Sequence, residues 1–227
     1  MSLLFRCSQL GNLMTASRSK SEMLSETAKT LVQDMFREKE LGIYKEFSSR
    51  YTDKGNQNED LAIELASEVL DWNWILKNEE KFKNDYIVGT PDLVNDTLLA
   101  DIKCSWSGAT FPMFDTELKN KAYWWQLQGY MMLTGHKQAE LVYCLTNTPF
   151  EIVESEVRKE HWKLCLIDED PIVREAVESL HNFDHIDNKM KVKRFIVEYD
   201  EKAIEQLKEK IEVARAYYQE LLLILNK

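Results

Sequence analysis

A chain of 227 residues is long enough for one domain, or one domain with a long insertion, and short for two. Its 44% apolar and 30% charged residues exclude wholesale disorder, and 7 Gly with 4 Pro exclude a collagen-like or linker-rich chain. A formal charge of −10, from 29 Lys+Arg against 39 Asp+Glu, excludes a general basic coat for nucleic acid but leaves room for one basic channel.

Met23, Leu24, Ala28, Leu31, Val32, Met35 and Phe36 recur at three- and four-residue spacing, which predicts a helix over 19–39 stopped by Gly42. A second helix is predicted over 56–71, carrying Leu61, Ile63, Leu65, Ala66, Val69 and Leu70, with Gly55 at its start. After Lys83 the texture changes. Residues 86–88 and 92–94 read as strand pieces, Asn95-Asp96 as a turn and 98–104 as a third strand. Residues 105–114, with Gly108 and Pro112, read as a loop. A helix over 118–133 closed by Gly135 follows, then a strand over 140–145 ended by Asn147 and Pro149. Further helices are predicted over 153–164 and from Pro171 to 180, a strand over 191–198, and a long amphipathic helix capped by Asp200 and running to 225. There is no internal repeat and no interdomain linker. The order predicts a single α/β or α+β domain over 1–227 on one central mixed sheet.

No apolar run approaches ~20 residues, so no membrane-crossing helix is expected. The start, MSLLFRCSQLGNLM, is broken by Arg6, Ser8 and Gln9, unlike a secretory leader. Cys7, Cys104, Cys144 and Cys165 are widely spaced and form no CxxC pair, which reads as four reduced thiols in a cytosolic protein.

The chemistry-bearing stretch is Gly89-Thr90-Pro91-Asp92, followed by Asp101-Ile102-Lys103. Both acids fall in β-prone segments joined by one tight turn. Adjacent antiparallel strands lie ~4.8 Å apart, so two carboxylates on such a hairpin can converge. Two carboxylates and a backbone carbonyl suit a hard divalent cation. Lys103 lies two residues after Asp101 and points to the same face, where a cation can hold or deprotonate a water and offset charge on a transferring phosphoryl group. Pro-Asp is also a common turn pair, and Asp-x-Lys on an exposed strand is usually a solvated ion pair.

Three further features weigh toward chemistry. Glu59, expected one turn inside the second helix, either complements the helix dipole or is a third acid aimed at the metal. Gln126 and Tyr130 lie four apart on one helical face, either at the rim of a core helix or facing the cleft, where they would contact phosphate or position Lys103. Lys103 leads into Cys104-Ser105-Trp106 and a polar loop, a plausible substrate rim.

The ordered set Gly55-x-x-x-Glu59, Gly89-Thr-Pro-Asp92, Asp101-Ile-Lys103 and Gln126-x-x-x-Tyr130 resembles the PD-(D/E)xK nuclease superfamily, and within it the phage lambda exonuclease, or YqaJ-like viral recombinase, branch, with kinship to RecB-type nuclease domains. The core motifs fall within about 55–145, leaving 151–227 as a C-terminal helical and strand extension. The resemblance implies a restriction-endonuclease-like α/β core, a central mixed sheet flanked by helices. It implies Asp92, Asp101 and the Ile102 carbonyl as ligands of Mg²⁺ or Mn²⁺, Lys103 as the catalytic lysine, and Glu59 completing the acidic cluster or serving a second metal. Gln126 and Tyr130 would stand in the active-site shell. Asp101 replaces the usual Glu and is one methylene shorter. The segment Arg6-Cys-Ser8 resembles the family's opening segment, where an Arg and a Ser receive the substrate's 5′ phosphate at a helix start; the plainer reading makes Ser8 an N-cap.

Arg18, Lys20, Arg50, Lys54, Lys119, Lys121 and the run Lys189-Met-Lys191-Val-Lys193-Arg194 are the basic residues that could line a DNA channel, although such charges are usually solvated. Trp72, Trp74, Trp124, Trp125 and Trp162 read as core, and loop-borne Trp106 as the one for base stacking.

The implied activity is metal-dependent 5′→3′ resection of linear duplex DNA ends, with a single-strand annealing protein as partner in recombination, a trimeric assembly by analogy, no membrane and a (host) cytoplasmic location. The alternatives are a non-catalytic DNA-binding or assembly protein on the same fold, against which the intact Asp92, Asp101 and Lys103 speak, and a CRISPR-associated RecB-like nuclease. The four scattered cysteines do not match the iron–sulfur ligands of that last group, so no cluster is expected.

Overall fold

A computed structural model of the chain describes residues 3–19, 22–45, 49–72 and 76–225. Lys20 and Trp74 lie outside these residues.

The chain begins with elements too short to carry a period: strand β1 (Phe5–Arg6), a 3-10 turn (Cys7–Gln9) and the single-turn helix α1 (Leu10–Leu13). Their common property is burial; Phe5, Cys7, Leu10 and Leu13 are almost wholly covered. Helix α2 (Glu26–Leu41) starts later than expected because Ser25 caps it, its Oγ accepting from the Ala28 N–H at 3.1 Å, and it stops at Gly42 with φ +65°. Helix α3 (Arg50–Val69) starts earlier than expected, at an N-cap on Ser49, so Gly55 lies in its second turn and not at its start. A single glycine costs a helix interior only about 1 kcal/mol, and the Ser49 cap and the buried face of Ala62, Ile63 and Ala66 outweigh it.

The central sheet is broken in two. Strands β2 (Phe82–Lys83) and β3 (Ile87–Gly89) join β1 in a small sheet of order β1-β3-β2. Strands β4 (Leu93–Val94), β5 (Leu99–Cys104), β6 (Gln138–Cys144) and β7 (Val192–Glu198) form the larger one, in that order. The break falls at Thr90-Pro91-Asp92, where proline removes a ladder donor. The β5–β6 pairing is parallel and its neighbours are antiparallel, so the larger sheet is mixed.

Strand alternation sorts the side chains of β5. Ala100 and Ile102 face α3, in a core with Ala62, Ile63, Ala66, Val142 and Cys144. Leu99 faces the larger core, built with α4 (Lys121–Thr134) and α7 (Glu201–Leu225). Asp101 and Lys103 follow Leu99 on that α4 side. Asn120 caps α4, its Oδ1 accepting from the Ala122 N–H at 2.9 Å, and Gly135 ends it at φ +83°.

Helices α5 (Phe150–Lys163) and α6 (Pro171–His181) form a hairpin packed through Val153, Val157 and Val177. The segment after it contributes edge strand β7 to the larger sheet and a core helix, α7, whose Ile204, Leu207, Ile211 and Ala214 are buried. The Asp200 cap is present, its Oδ1 accepting from the Ala203 N–H at 3.0 Å. Trp72, Trp124 and Trp125 pack against the cores, whereas Trp162, expected inside, is 83% exposed. It lies in the last turn of α5, on the outer face of a two-helix layer that no third layer covers among the described residues. Among the described residues no helix is long and apolar enough to cross a membrane.

Candidate active site

The break in the sheet aims Asp92. Leu93 pairs with Ala100, so Asp92 stands across from the Asp101–Ile102 stretch of β5. Its Oδ2 accepts a hydrogen bond from the Ile102 N–H at 2.6 Å, where the missing continuation of β4 would have accepted it. The Ile102 carbonyl lies on the same strand edge, beyond the end of β4. The second oxygen of Asp92 has no protein partner among the described residues.

Asp101 is 1% exposed. Its Oδ1 accepts from Gln126 Nε2 at 3.0 Å, and the same amide lies 2.9 Å from the Tyr130 hydroxyl, which in turn donates to the Thr90 carbonyl at 3.2 Å. Gln126 and Tyr130 therefore tie α4 to both ends of the acidic hairpin. Gly89 makes this possible: a Cβ there would sit 2.7 Å from Tyr130 Cε1 and 2.7 Å from Cys7 Sγ, both held in the core. Asp101 Oδ2 is different. Among the described residues it pairs with the Lys103 ammonium at 2.5 Å and makes no aligned hydrogen bond.

Asp92, Ile102, Lys103 and Gln126 line a cleft of about 650 Å³ together with Ser8, Glu59, Tyr123 and Tyr143, with Asp101 and Tyr130 buried behind its wall. Glu59 lies in the third turn of α3, not the first, so the helix-dipole explanation does not apply to it. It reaches the cleft from the α3 face of the sheet, the opposite face from Asp101, and pairs with Lys77 at 3.0 Å. Accordingly, no three His, Cys, Asp or Glu side chains converge as a metal-binding group among the described residues.

The donor set nevertheless fits a hard divalent cation: two carboxylates and a carbonyl, all oxygen, one buried carboxylate oxygen lacking an aligned partner. The electrostatics agree. Burial, and then the Asp101 charge, push Asp92 up from 3.8 to about 7. Burial works against the Lys103 charge, but Asp101 and Asp92 more than offset it and raise that group, so Lys103 stands as an ammonium. The site holds more negative charge than its lysine cancels.

This has a consequence for stability. Asp92 binds its proton more tightly folded than unfolded, so between pH 3.8 and about 7 the native state carries more protons. Stability of the metal-free protein therefore falls as pH rises through that window. Thermal melts in EDTA at pH 5 and pH 8 should give the lower Tm at pH 8, and Asp92→Asn should flatten part of the difference. An equal Tm at both, in the native protein, contradicts the assignment.

Arg6 and Ser8 do not share the cleft. Ser8 is the middle residue of the 3-10 turn, not its cap, and lines the cleft; Arg6 lines a separate groove with Gln9, Met35 and Lys81. Trp106 is held edge-on between Tyr51 and His181, at 5.0 and 5.2 Å between centroids. The Arg50 guanidinium lies 5.1 Å from its ring, and the buried Lys54 donates to its carbonyl at 3.0 Å. Of the remaining basic residues, Arg18 and Lys121 are exposed, Lys119 pairs with Asp115, and Arg194 on β7 pairs with Glu140 at 3.5 Å. Sequence reasoning missed Tyr123 and Tyr143. The only available signal was the two-residue period of β6, which a parallel partner far away in sequence turns into proximity to Lys103.

No family model matches the chain, and no curated protein does. Solved structures do. A phage-related exonuclease from Haemophilus somnus 129PT is 28% identical with a TM-score of 0.78, over 99% of this chain and 97% of that one. An alkaline exonuclease from Laribacter hongkongensis is 14% identical with a TM-score of 0.66, over 98% of this chain and 91% of that one, and its complex with dAMP matches equally well at 15% identity. The chain thus shares the restriction-endonuclease-like fold of phage-related and alkaline exonucleases, in agreement with the resemblance of its ordered motifs to the lambda exonuclease branch of the PD-(D/E)xK superfamily.

Proposed function

We propose that this chain is a metal-dependent deoxyribonuclease that removes nucleotides from the ends of linear duplex DNA in the 5′→3′ direction. The observation that carries the reading is the convergence of Asp92, Asp101 and Lys103 at the end of β5, where a buried carboxylate oxygen is held by the lysine alone, without an aligned hydrogen bond, among the described residues. A non-catalytic protein gains nothing from a buried, undercompensated acid pair, which costs stability. The likeness to a phage-related exonuclease over nearly the whole of both chains supports the exonuclease class.

Asp92, Asp101 and the Ile102 carbonyl would hold Mg²⁺ or Mn²⁺. When bound, such a cation supplies a polarised water and neutralises charge on the phosphate. Lys103, held as an ammonium, is a donor and a positive charge for the phosphoryl oxygens as negative charge builds on them. Gln126 fixes the Asp101 carboxylate, and Tyr130 fixes Gln126 against the Thr90 carbonyl. Glu59, paired with Lys77, is a reserve acid on the cleft wall. The single-domain organisation, a cytoplasmic site of action, a role in recombination with an annealing protein, and a trimer belong to the same reading; light scattering checks the last.

End-labelled linear duplex and closed circular DNA, each with and without Mg²⁺, test the function. Linear DNA should be consumed only with metal, and the circle should survive. Nicking or linearisation of the circle would make the enzyme an endonuclease, and full activity in EDTA would remove the metal.

A further inference from the structure

Two tyrosines share the cleft with Asp92 and Lys103, and the chemistry above uses neither. Tyr143 on β6 is the register partner of Lys103 on β5. Their side chains therefore rise from one face of the sheet, one strand spacing apart, about 4.8 Å. Tyr123 lies in the first turn of α4, three residues before Gln126 and on the same side of the helix. The two rings meet edge to face at 6.2 Å. Behind Tyr143 the buried Phe195 braces the ring at 6.0 Å, and the Lys103 ammonium lies 5.2 Å from the Tyr123 centroid.

The hydroxyls of this half-buried pair matter because both rings line the cleft; Tyr86 and Tyr199, half-buried as well, lie outside it. A buried tyrosine usually finds a partner for its O–H. In this chain Tyr130 bonds Thr90, Tyr218 bonds Glu40 at 2.6 Å and Tyr217 accepts from Gln33 at 2.7 Å. Neither Tyr123 nor Tyr143 has a hydroxyl partner among the described residues. A ring fixed by packing on two sides, with an unpartnered donor at its tip in a wet cleft, is preorganised for a ligand oxygen. Beside two carboxylates, an anionic ligand needs every donor it can find, and Lys103 is the only cation lining this cleft among the described residues.

We propose that Tyr143 is a substrate-binding residue whose hydroxyl donates a hydrogen bond to a non-bridging oxygen of a phosphate flanking the bond that is cut. Tyr123 braces the Tyr143 ring and lies against the Lys103 ammonium. The assignment rests on the nuclease reading and adds to it the group that seats the neighbouring phosphate. It predicts that the contact belongs to binding and not to the chemical step, because the flanking phosphate carries the same charge before and during cleavage.

The test combines Tyr143→Phe, which keeps the ring and its packing, with duplexes carrying a single methylphosphonate at each phosphate near the cut bond. Binding is read by fluorescence anisotropy in EDTA, and cleavage with Mg²⁺ by KM and kcat. Tyr143→Phe should weaken binding and raise KM about tenfold to a hundredfold, the worth of one hydrogen bond to a charged group, with kcat little changed. One methylphosphonate position should cost the native protein that same factor and cost Tyr143→Phe nothing further. If the variant binds natural DNA as the native protein does, or if no position couples to it, the proposal fails while the nuclease reading stands. If Tyr143→Phe unfolds, the hydroxyl is structural and the proposal fails as well. A native protein that cleaves no DNA removes both.

Discussion

Asp101→Asn is expected to abolish DNA cleavage in a protein that still folds. The carboxylate is 1% exposed and has two assigned oxygens: Oδ1 accepts from Gln126, and Oδ2 pairs with Lys103. Asparagine can keep the first contact through its carbonyl oxygen. It replaces the second oxygen by an NH₂ group, which is a donor and cannot bind a cation. Turnover should fall at least about a thousandfold, the upper end of the cost of removing one preorganised electrostatic group. Single-turnover cleavage of linear duplex at saturating Mg²⁺ measures it, with circular dichroism as the check on folding. A variant retaining a tenth of native turnover would make Asp101 structural. Alanine is the wrong probe here. Asp101 is buried against an ammonium. Removing one partner of such a pair typically costs about 3–5 kcal/mol, enough to confuse lost activity with lost structure.

Most of the long elements are legible in the sequence because they obey one period and carry their own caps: α4 between Asn120 and Gly135, α6 behind Asp170-Pro171, α7 behind Asp200. The errors fall where a local signal competes with a tertiary one. Gly55 looks like a helix boundary, but α3 runs through it because Ser49 offers a better cap and the helix face beyond is buried. The N-terminal β1, 3-10 turn and α1 are specified by burial of Phe5, Cys7, Leu10 and Leu13, which no short window reveals. The acidic hairpin was legible because both carboxylates sit a few residues from one turn. Gln126 was legible as a helical neighbour of Tyr130, though its hydrogen bond to Asp101 depends on how α4 packs on the sheet. Tyr143 was not legible, since only the parallel β5–β6 pairing sets it beside Lys103. Arg6 and Ser8, two residues apart, look like one phosphate pocket in the sequence. The chain passes from a strand directly into a 3-10 turn between them, and they open onto different grooves.

Lys103→Met should separate catalysis from metal binding. Methionine keeps an unbranched stem of similar reach, so packing against Tyr123 survives while the charge is lost. If the ammonium serves the phosphoryl oxygens or the attacking water, kcat should fall about a hundredfold to ten-thousandfold, the range of a positioned proton-transfer or charge-stabilising group. Metal affinity should move the other way. In the metal-free protein the ammonium sits 2.5 Å from Asp101 Oδ2, the oxygen best placed for a cation, and it lowers the proton affinity of Asp92. Removing it frees Oδ2 and leaves two carboxylates facing each other without a counter-charge. Above pH 7, where Asp92 is mostly ionised, Mn²⁺ should therefore bind Lys103→Met as tightly as the native protein, or more tightly. Below that pH the gain shrinks, because Asp92 holds its proton more firmly once Lys103 no longer opposes it, and the metal must displace that proton. Isothermal titration with Mn²⁺ at pH 6 and pH 8, beside single-turnover cleavage, reads both effects. Tighter metal binding with lost turnover fits a lysine that acts on the substrate. Lost metal affinity at pH 8 would mean instead that Lys103 holds the two acids in place, and that its part in the reaction is structural.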